Sequence, residues 1–141
     1  MKKIFLALCV FVGLTLTSCE DEFSSKKLIG KWSVQNVTYT EVRGNSTTSY
    51  NMPTEGEYYE FLSDGMYVIS ELGGTIEETG KWTLIGASLT TENSKEGTKI
   101  NWKIKQMTSS KLSAEYSGVS IDGGKEEVVE YTYFYTFEKL K

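Results

Sequence analysis

LIGKWSV at residues 28–34 opens the first strong strand pattern of the chain, and its central letters return as GKWTL at residues 80–84. Gly30 has no Cβ, so the backbone can turn tightly or be approached closely there. Trp32 can cover a large apolar area at one end of a sheet. We therefore interpret the chain after Leu28 as a sheet that closes on itself over these tryptophans.

Alternation of apolar and polar residues continues to the end of the chain, in short runs separated by turn signals. It is cleanest at residues 99–105 and richest at residues 129–137, where one face carries Val129, Tyr131, Tyr133, Tyr135 and Phe137. About eight such runs are typical of an all-β barrel or sandwich. Consecutive hairpins favour an eight-stranded up-and-down antiparallel β-barrel, because closing the sheet hides both edges.

Local signals within this pattern make sharper predictions. The parity of apolar residues shifts near Gln35 and Asn36, which predicts a β-bulge. A three-residue loop ending at Gly65 would place Phe61 opposite Tyr67 in a hairpin.

For two segments outside the strand runs, the sequence predicts a helical turn and a loop. Residues 24–28 could form one capped helical turn that plugs a barrel end. Residues 43–53 are polar, and we expect a long loop there, able to act as a mobile lid at one mouth.

The first 18 residues have the layout of a bacterial export signal: Lys2 and Lys3, then an apolar run over residues 4–16. The run ends at Cys19 after small residues, which resembles the lipobox of bacterial lipoproteins. That resemblance implies cleavage before Cys19 and acyl chains on its thiol and new amino terminus, which would anchor the chain in a membrane. The alternative is an ordinary secretory signal followed by a chance cysteine.

Residues 19–27 form a lipidated acidic tether in this interpretation. The run Glu20-Asp21-Glu22 is a solvated linker, or it resembles the surface-export signal of some Gram-negative lipoproteins. We therefore expect the outer membrane, on either its periplasmic face or the cell surface.

Charge and composition narrow the possible functions. The formal net charge of the 141 residues is −4, and loss of Lys2 and Lys3 lowers it to about −6, which gives no reason to seek nucleic acid. The chain has no histidine, the commonest neutral-pH acid or base and metal ligand. Only Cys19 remains after cleavage, so the domain at residues 28–141 must be held by its core without an internal disulfide.

At this point the chain is similar to lipocalin-like bacterial lipoproteins. The residues that carry the likeness are GKW at 30–32, FLSDGMY at 61–67, GKWTL at 80–84 with Leu89, WKI at 102–104 with Leu112, and YTFEK at 135–139. The resemblance implies an eight-stranded barrel with a central or end-on cavity, in which Gly30 and Trp32 form the floor. Lipocalins proper place an arginine late in the chain over that tryptophan; the sole arginine here is Arg43, so Lys139 is the candidate substitute. Their Thr-Asp-Tyr motif and C-terminal helix are absent.

Aromatic residues on the inward parity are the candidate ligand-binding residues. On an alternating strand such residues either fill the core or line a pocket. The interior of an eight-stranded barrel is just wide enough to be filled by side chains or to hold one small ligand. Tyrosine combines an apolar body with a hydroxyl group, which suits an amphipathic ligand. The candidates are Trp82, Trp102, Tyr116, Tyr131, Tyr133 and Tyr135.

Catalytic and metal sites are not predicted, and no cofactor is implied. Glu55, Glu57 and Glu60 are close in sequence, as paired glycosidase carboxylates can be, but Glu60 alternates with apolar neighbours and is expected to face water. Asp64-Gly65 and Asp122-Gly123 are turn signals that lack the spaced oxygen ligands of a calcium loop.

Three functions stay open at this point. The first is a lipid-anchored, lipocalin-like binder of a small hydrophobic or amphipathic molecule, which requires a cavity. The second is a solid barrel on the envelope that docks a protein partner, with exposed aromatics such as Phe134 or Tyr58. The third is an envelope enzyme, which requires two convergent acids inside a cleft. We favour the first.

Overall fold

The computed structural model describes residues 22–124 and 127–141. The predicted signal at 1–18, the lipidation site Cys19 and the acidic residues Glu20 and Asp21 lie outside the described residues. The elements are α1 (Ser25–Leu28), β1 (Gly30–Arg43), β2 (Ser46–Met52), β3 (Tyr58–Phe61), β4 (Met66–Ser70), β5 (Ile76–Ile85), β6 (Ser88–Asn93), β7 (Lys99–Met107), β8 (Lys111–Asp122) and β9 (Glu127–Lys139). None of the helices in this part of the chain is long and apolar enough to cross a bilayer.

Eight of the strands form a closed antiparallel barrel in up-and-down order. β3 to β9 pair consecutively, and β1 closes the ring by pairing with β3 on one side and β9 on the other. The predicted all-β, eight-stranded barrel is therefore confirmed, and its architecture is consistent with a lipocalin-like fold.

The ninth strand, β2, corrects the prediction of a long loop over residues 43–53. β1 turns at Gly44, whose φ is +55°, and β2 runs back along β1 from Arg43↔Ser46 to Val37↔Met52. The prediction was wrong because β2 is almost wholly polar, so it lacks the alternation that marks a half-buried strand. Its position outside the ring, paired only with β1, removes the need for that alternation.

Two local predictions are confirmed. The pairing of β1 with β9 shifts between Val34 and Asn36, as expected for a bulge at Gln35. The β3–β4 hairpin places Phe61 opposite Tyr67, and Gly65 adopts a φ of +84° in its turn.

The end of the barrel at which β1 starts is closed by α1. The side chain of Ser24 caps this single turn by accepting a hydrogen bond from the Lys27 amide, and Leu28 is fully buried. Trp32 is also fully buried, and its Nε1 donates to the Leu28 carbonyl at 2.7 Å. Lys139 Nζ lies 5.0 Å from the Trp32 ring centre and donates to the Lys27 carbonyl at 2.7 Å.

Gly30 adjoins that contact, with a φ of +131°. A Cβ at this position would press on the Lys139 side chain. The glycine therefore leaves room for the lysine that covers the tryptophan.

At the other end of the barrel, β1 and β8 continue past the last residues that pair with β3 and β7, and β9 continues between them. β3 pairs with β1 only as far as Ser33, and β7 pairs with β8 only as far as Glu115. Beyond those points β2, β1, β9 and β8 make a four-stranded sheet in that order. We call residues 37–43, 46–52, 116–122 and 127–135 the upper sheet.

Candidate functional site

The tryptophans predicted to contact a ligand lie in the packed interior of the barrel. Trp82 is 8% exposed and Trp102 is 5% exposed. The Trp82 Nε1 donates to the Leu62 carbonyl at 3.1 Å, and the Trp102 Nε1 donates to Thr91 Oγ1 at 3.0 Å. Both indole N–H groups are therefore satisfied within the protein.

The barrel interior around these residues is filled. A cavity of about 10 Å³ lies among these side chains and is bordered by Tyr59, Phe61, Leu89, Thr91, Trp102, Leu112, Ala114 and Phe137. A cavity of that size holds at most one water molecule. Within the described chain, an enclosed ligand has no room at this level of the barrel.

Four tyrosines cross the upper sheet in a single row. Strand register places Tyr50 opposite Tyr39, Tyr39 opposite Tyr133, and Tyr133 opposite Tyr116, so all four lie on the face that continues the barrel interior. Neighbouring ring centres in the row are 5.1, 4.9 and 5.0 Å apart. We call these four residues the tyrosine row. They are half-buried, apart from Tyr50, which is 53% exposed.

Tyr131 lies beside the tyrosine row, with its ring centre 5.9 Å from that of Tyr133. Its ring lies directly over Gly118, where a Cβ would overlap it. Gly118 is therefore a position of close approach, where the absence of a side chain leaves room for the hydroxyl end of the Tyr131 ring.

Charged residues border the row on the side away from the barrel. Arg43 contacts Glu41 at 3.1 Å and Asp122 at 2.9 Å, and the Tyr39 hydroxyl donates to Glu41 at 3.1 Å. The hydrogen bond from Arg43 lowers the pKa of Glu41, and the two carboxylates raise the pKa of Arg43. This ion cluster ties β1 to β8 across β9.

A pocket of about 190 Å³ borders the row on the barrel side. Its sheet wall is Val37, Met52 and Tyr135, which are each two residues from a member of the tyrosine row on the same strand. Because residues two apart on a strand share a face, the pocket and the row form one continuous surface. We call this combined surface the mouth groove.

The remaining wall of the pocket is the connection from β2 to β3, which includes Pro53, Thr54, Glu55 and Glu57. Burial raises the pKa of Glu57, and the nearby charges of Glu55 and Glu71 raise it further. The mouth groove therefore contains a carboxyl group that is costly to ionise.

The tyrosine hydroxyls near the pocket form a small polar network. Tyr135 lies in hydrogen-bonding reach of Tyr116 and Tyr59, and burial raises the pKa of all three phenols. They stay protonated at neutral pH, so each can donate and accept a hydrogen bond. The mouth groove thus presents aromatic ring faces and neutral hydroxyl groups to a ligand, with the carboxyl groups of Glu55 and Glu57 along one wall.

Other depressions of the surface fit a ligand less well. One of about 460 Å³ lies beside the β5–β6 turn at the closed end, and it is bordered by Ile85, which is 81% exposed, and by the 5% exposed Trp102. Another, of about 330 Å³, lies around the bulge residue Gln35 on the outside of the barrel. Both lack the aligned aromatic side chains of the mouth groove.

The sequence-predicted residues therefore divide into two sets. Tyr116, Tyr133 and Tyr135 meet in the mouth groove with Tyr131 beside them, whereas Trp82 and Trp102 belong to the core beneath. Glu57 lines the pocket but Glu60 lies on the outer face of β3, opposite Lys31, so the strand separates these two carboxylates. Among the described residues, no three acidic, cysteine or histidine side chains are placed to share a metal ion.

Sequence reasoning missed three contributors to the groove. Tyr50 and Met52 lie in the segment interpreted as a loop. Tyr39 lies in an alternating strand pattern, and that pattern does not distinguish a groove residue from a core residue. The tyrosine at position 50, eleven residues after Tyr39 across a Gly-Asn turn, was an available sign of a hairpin.

The outer surface differs from the expectation of exposed aromatics. Phe134 and Tyr58 are only partly exposed, and Lys31 Nζ lies 4.9 Å from the Tyr58 ring centre. Tyr50 is the exposed aromatic among the large apolar side chains of the described residues, and the others that face solvent are aliphatic: Leu72, Ile76, Ile85, Val119, Ile121, Val128 and Leu140.

Comparison with protein-family models and with curated proteins finds no match for this chain. The function must therefore be argued from the geometry of the groove.

Proposed function

We propose that this chain is a lipid-anchored protein of the bacterial outer envelope that binds one small amphipathic molecule in the mouth groove. The observation that carries the proposal is the register that aligns Tyr50, Tyr39, Tyr133 and Tyr116 above the pocket. Four aromatic rings from four neighbouring strands are placed at one level of the upper sheet. The packed core beneath them makes the barrel a support for the groove.

The size of the pocket limits the ligand. Whole drug-sized molecules occupy pockets of roughly 300–1,000 Å³. The pocket here is about 190 Å³, enough for one ring or a short chain. The rest of the ligand would lie across the tyrosine row, where phenol rings supply apolar contact and hydroxyls supply hydrogen bonds.

The polar side of the groove defines the head of the ligand. Glu57 and Glu55 stand on one wall and the Tyr135 hydroxyl on the other. Carboxylates only accept hydrogen bonds when ionised. The ligand would therefore carry hydroxyl or amino donors next to its apolar part.

The proposed anchor is compatible with this site. The described chain begins at Glu22, beside the α1 turn that closes the barrel, and the mouth groove is at the opposite end. Acyl chains on Cys19, three residues before Glu22, would hold the closed end near the membrane and leave the groove accessible.

Native mass spectrometry of residues 20–141, purified gently from the source bacterium, tests the proposal. We expect a co-purifying small molecule that is released on unfolding, and its loss in Tyr133→Ala. The matched variant Phe134→Ala, on the opposite face of the same strand, should keep it. A folded Tyr133→Ala protein that retains the molecule would contradict the mouth groove as its site.

The filled interior also favours a second function, a solid barrel that docks a protein of the envelope. This alternative needs no cavity, and the exposed Tyr50 at the rim of the upper sheet would contact the partner. An apo mass for residues 20–141, together with a protein partner lost in Tyr50→Ala, would favour this second function over ligand binding.

A further inference from the structure

We propose that the closed end of the barrel docks on the anionic phospholipid headgroups of a bilayer, through its lysines and the exposed side chains of Ile85 and Leu140. The inference deepens the proposed function and rests on it for the nearness of the membrane, which the acyl anchor would supply. It adds a lipid-binding surface to the folded chain and states which way the mouth groove faces.

The up-and-down order of the strands defines the two ends of the molecule, because successive connections of the ring lie at alternate ends. The closed end carries α1, the residues that follow β9, and the β3–β4, β5–β6 and β7–β8 connections. The open end, beside the mouth groove, carries the β1–β2, β2–β3, β4–β5, β6–β7 and β8–β9 connections.

Charged residues are distributed unequally between these ends. Each belongs to the end whose connection is nearer along its strand, and Lys103, midway along β7, pairs with Ser88 beside the closed-end β5–β6 turn. Among residues 22–124 and 127–141, the closed end has nine lysines and five acidic residues, whereas the open end has three basic and eleven acidic residues. The closed-end set is Lys26, Lys27, Lys31, Lys81, Lys103, Lys105, Lys111, Lys139 and Lys141, with Glu22, Glu60, Asp64, Glu115 and Glu138. The open-end set is Arg43, Lys95 and Lys99, with Glu41, Glu55, Glu57, Glu71, Glu77, Glu78, Glu92, Glu96, Asp122, Glu127 and Glu130.

This distribution gives the molecule an electrical polarity that its net charge conceals. By these residues the formal charge of the closed end is +4 and that of the open end is −8. An anionic surface attracts the first and repels the second, so one orientation of the barrel is favoured. In that orientation the mouth groove faces away from the lipid.

The lysines are spread over several elements of the closed end. Four that are exposed lie in α1, in β7, in β8 and after β9: Lys26, Lys103, Lys111 and Lys141. Charges spread in this way match an extended surface of phosphates better than they match one small anion. The charge complementarity therefore points to a bilayer surface.

Apolar side chains are exposed beside these lysines. Ile85 at the β5–β6 turn is 81% exposed, and Leu140 after β9 is 45% exposed. Ile85 also borders the shallow depression of about 460 Å³ that is bordered by the exposed Lys103. Apolar groups that enter the headgroup region beside lysines that stay at its surface are typical of proteins that bind the membrane interface.

The length of chain before the described residues makes these charges effective. Glu22 is three residues from Cys19, so the chain between them spans at most about 11 Å. Charges act over a Debye length of about 8 Å at physiological ionic strength. Acyl chains on Cys19 would therefore hold the closed end at a distance where anionic headgroups attract it.

Fluorescence quenching in the full chain, expressed in a bacterial host and reconstituted into vesicles, tests the docking. Ser109→Cys places a bimane label in the exposed β7–β8 turn of the closed end, and Ser94→Cys places one in the exposed β6–β7 turn of the open end. The vesicles are phosphatidylcholine with a headgroup spin-labelled lipid as quencher, with or without phosphatidylglycerol. We expect phosphatidylglycerol to increase quenching at position 109 at least about threefold and to leave position 94 unchanged. The parent chain, labelled in the same way, gives the background from Cys9 and Cys19.

Neutralising lysines in the Ser109→Cys background tests the charge. Lys103→Gln with Lys111→Gln should return quenching to the level on pure phosphatidylcholine, because two basic residues near an anionic membrane contribute about 30-fold to binding. Lys95→Gln with Lys99→Gln removes the same charge from exposed positions at the open end and should leave quenching unchanged. Circular dichroism checks that each variant is folded.

Four results would overturn the docking. Three are equal quenching at position 109 on both kinds of vesicle, equal effects of the two glutamine pairs, and quenching at position 94 as strong as at position 109. The fourth is quenching that requires an added acidic protein in place of phosphatidylglycerol, which would assign the closed end to a protein partner.

The mass of the purified full chain separates this inference from the proposed anchor. A chain with acyl groups on Cys19 that is quenched equally on both kinds of vesicle rejects the docking and keeps the anchor. A chain without acyl groups that is quenched only with phosphatidylglycerol rejects the anchor and keeps the docking.

Discussion

Gly80 is a position in β5 where the barrel leaves no space for a side chain. A Cβ built there overlaps the Glu92 carbonyl on β6 and the ring of Tyr67 on β4, which is 1% exposed. The carbonyl is backbone and the ring is enclosed, so neither can move away cheaply. The Tyr67 hydroxyl is also held by a hydrogen bond to Glu78.

We predict that Gly80→Ala destabilises the protein by about 2 kcal/mol or more, in the upper part of the range for overpacked cores. Chemical denaturation of the variant and the parent chain measures the difference. Gly123→Ala is the matched control, because no atom lies within 4 Å of its Cβ position. Equal losses for the two variants would contradict the packing argument.

Glu57 is a residue of the mouth groove whose burial lowers the stability of the folded protein. Its pKa is raised in the folded chain, mainly by burial and then by the charges of Glu55 and Glu71. A carboxyl whose pKa is higher when folded reduces stability above that pKa, because the native state resists losing the proton. The cost disappears below the pKa of an unfolded glutamate, about 4.3, where both states are protonated.

We predict that Glu57→Gln raises the free energy of unfolding at pH 7 by less than about 1 kcal/mol, since solvent screens this half-buried group. The gain should shrink as the pH falls and vanish near pH 4. Urea denaturation at a series of pH values measures it, with Glu96→Gln in an exposed turn as the control. A gain that is constant with pH would rule out ionisation as its cause.

At the scale of elements, β1 is the strand that joins the barrel to the upper sheet. Its first four residues pair with β3, its last seven pair with β2, and β9 lies along the other side. The bulge at Gln35 lies between these two parts and allows β1 to change neighbours. β2 is therefore attached by one ladder of hydrogen bonds outside the ring.

We predict that β2 opens independently of the barrel. The amide hydrogens of Thr47–Asn51 should exchange at least about 100-fold faster than those of Tyr67–Ile69, because β4 is paired on both sides and β2 on one. Hydrogen exchange followed by NMR measures both sets in one sample. Equal protection would mean that β2 and the barrel open as a single unit.

At the scale of the whole molecule, the three tryptophans belong to one core. Trp32, Trp82 and Trp102 are all buried in the same apolar cluster, with α1 and Lys139 closing it at one end. The ring of eight strands is complete only when β1 pairs with β9. The apolar side chains of this core are therefore fully enclosed only when the ring has closed.

We predict cooperative two-state unfolding of residues 20–141, with coincident transitions by tryptophan fluorescence and far-UV circular dichroism. Fluorescence reports the core, and circular dichroism reports the sheet. A fluorescence transition that precedes the loss of strand signal would show that the core loosens before the barrel opens.

The sequence by itself determined the barrel class, the bulge in β1, the register of the β3–β4 hairpin and the capped turn at Ser24. These features depend on alternation, turn chemistry and capping, which act between residues near one another in the chain. The covering of Trp32 by Lys139 was reachable only through the resemblance that pointed to a cation late in the chain.

Only the tertiary structure decided that β2 is a strand, that the barrel is filled and that the tyrosines form a row. β2 is polar because it lies outside the ring, so its local pattern carries no strand signal. Whether a barrel encloses a cavity depends on the summed volumes of side chains from every strand. The tyrosine row depends on the register of four strands taken from both ends of the chain, and that register exists only once the ring has closed.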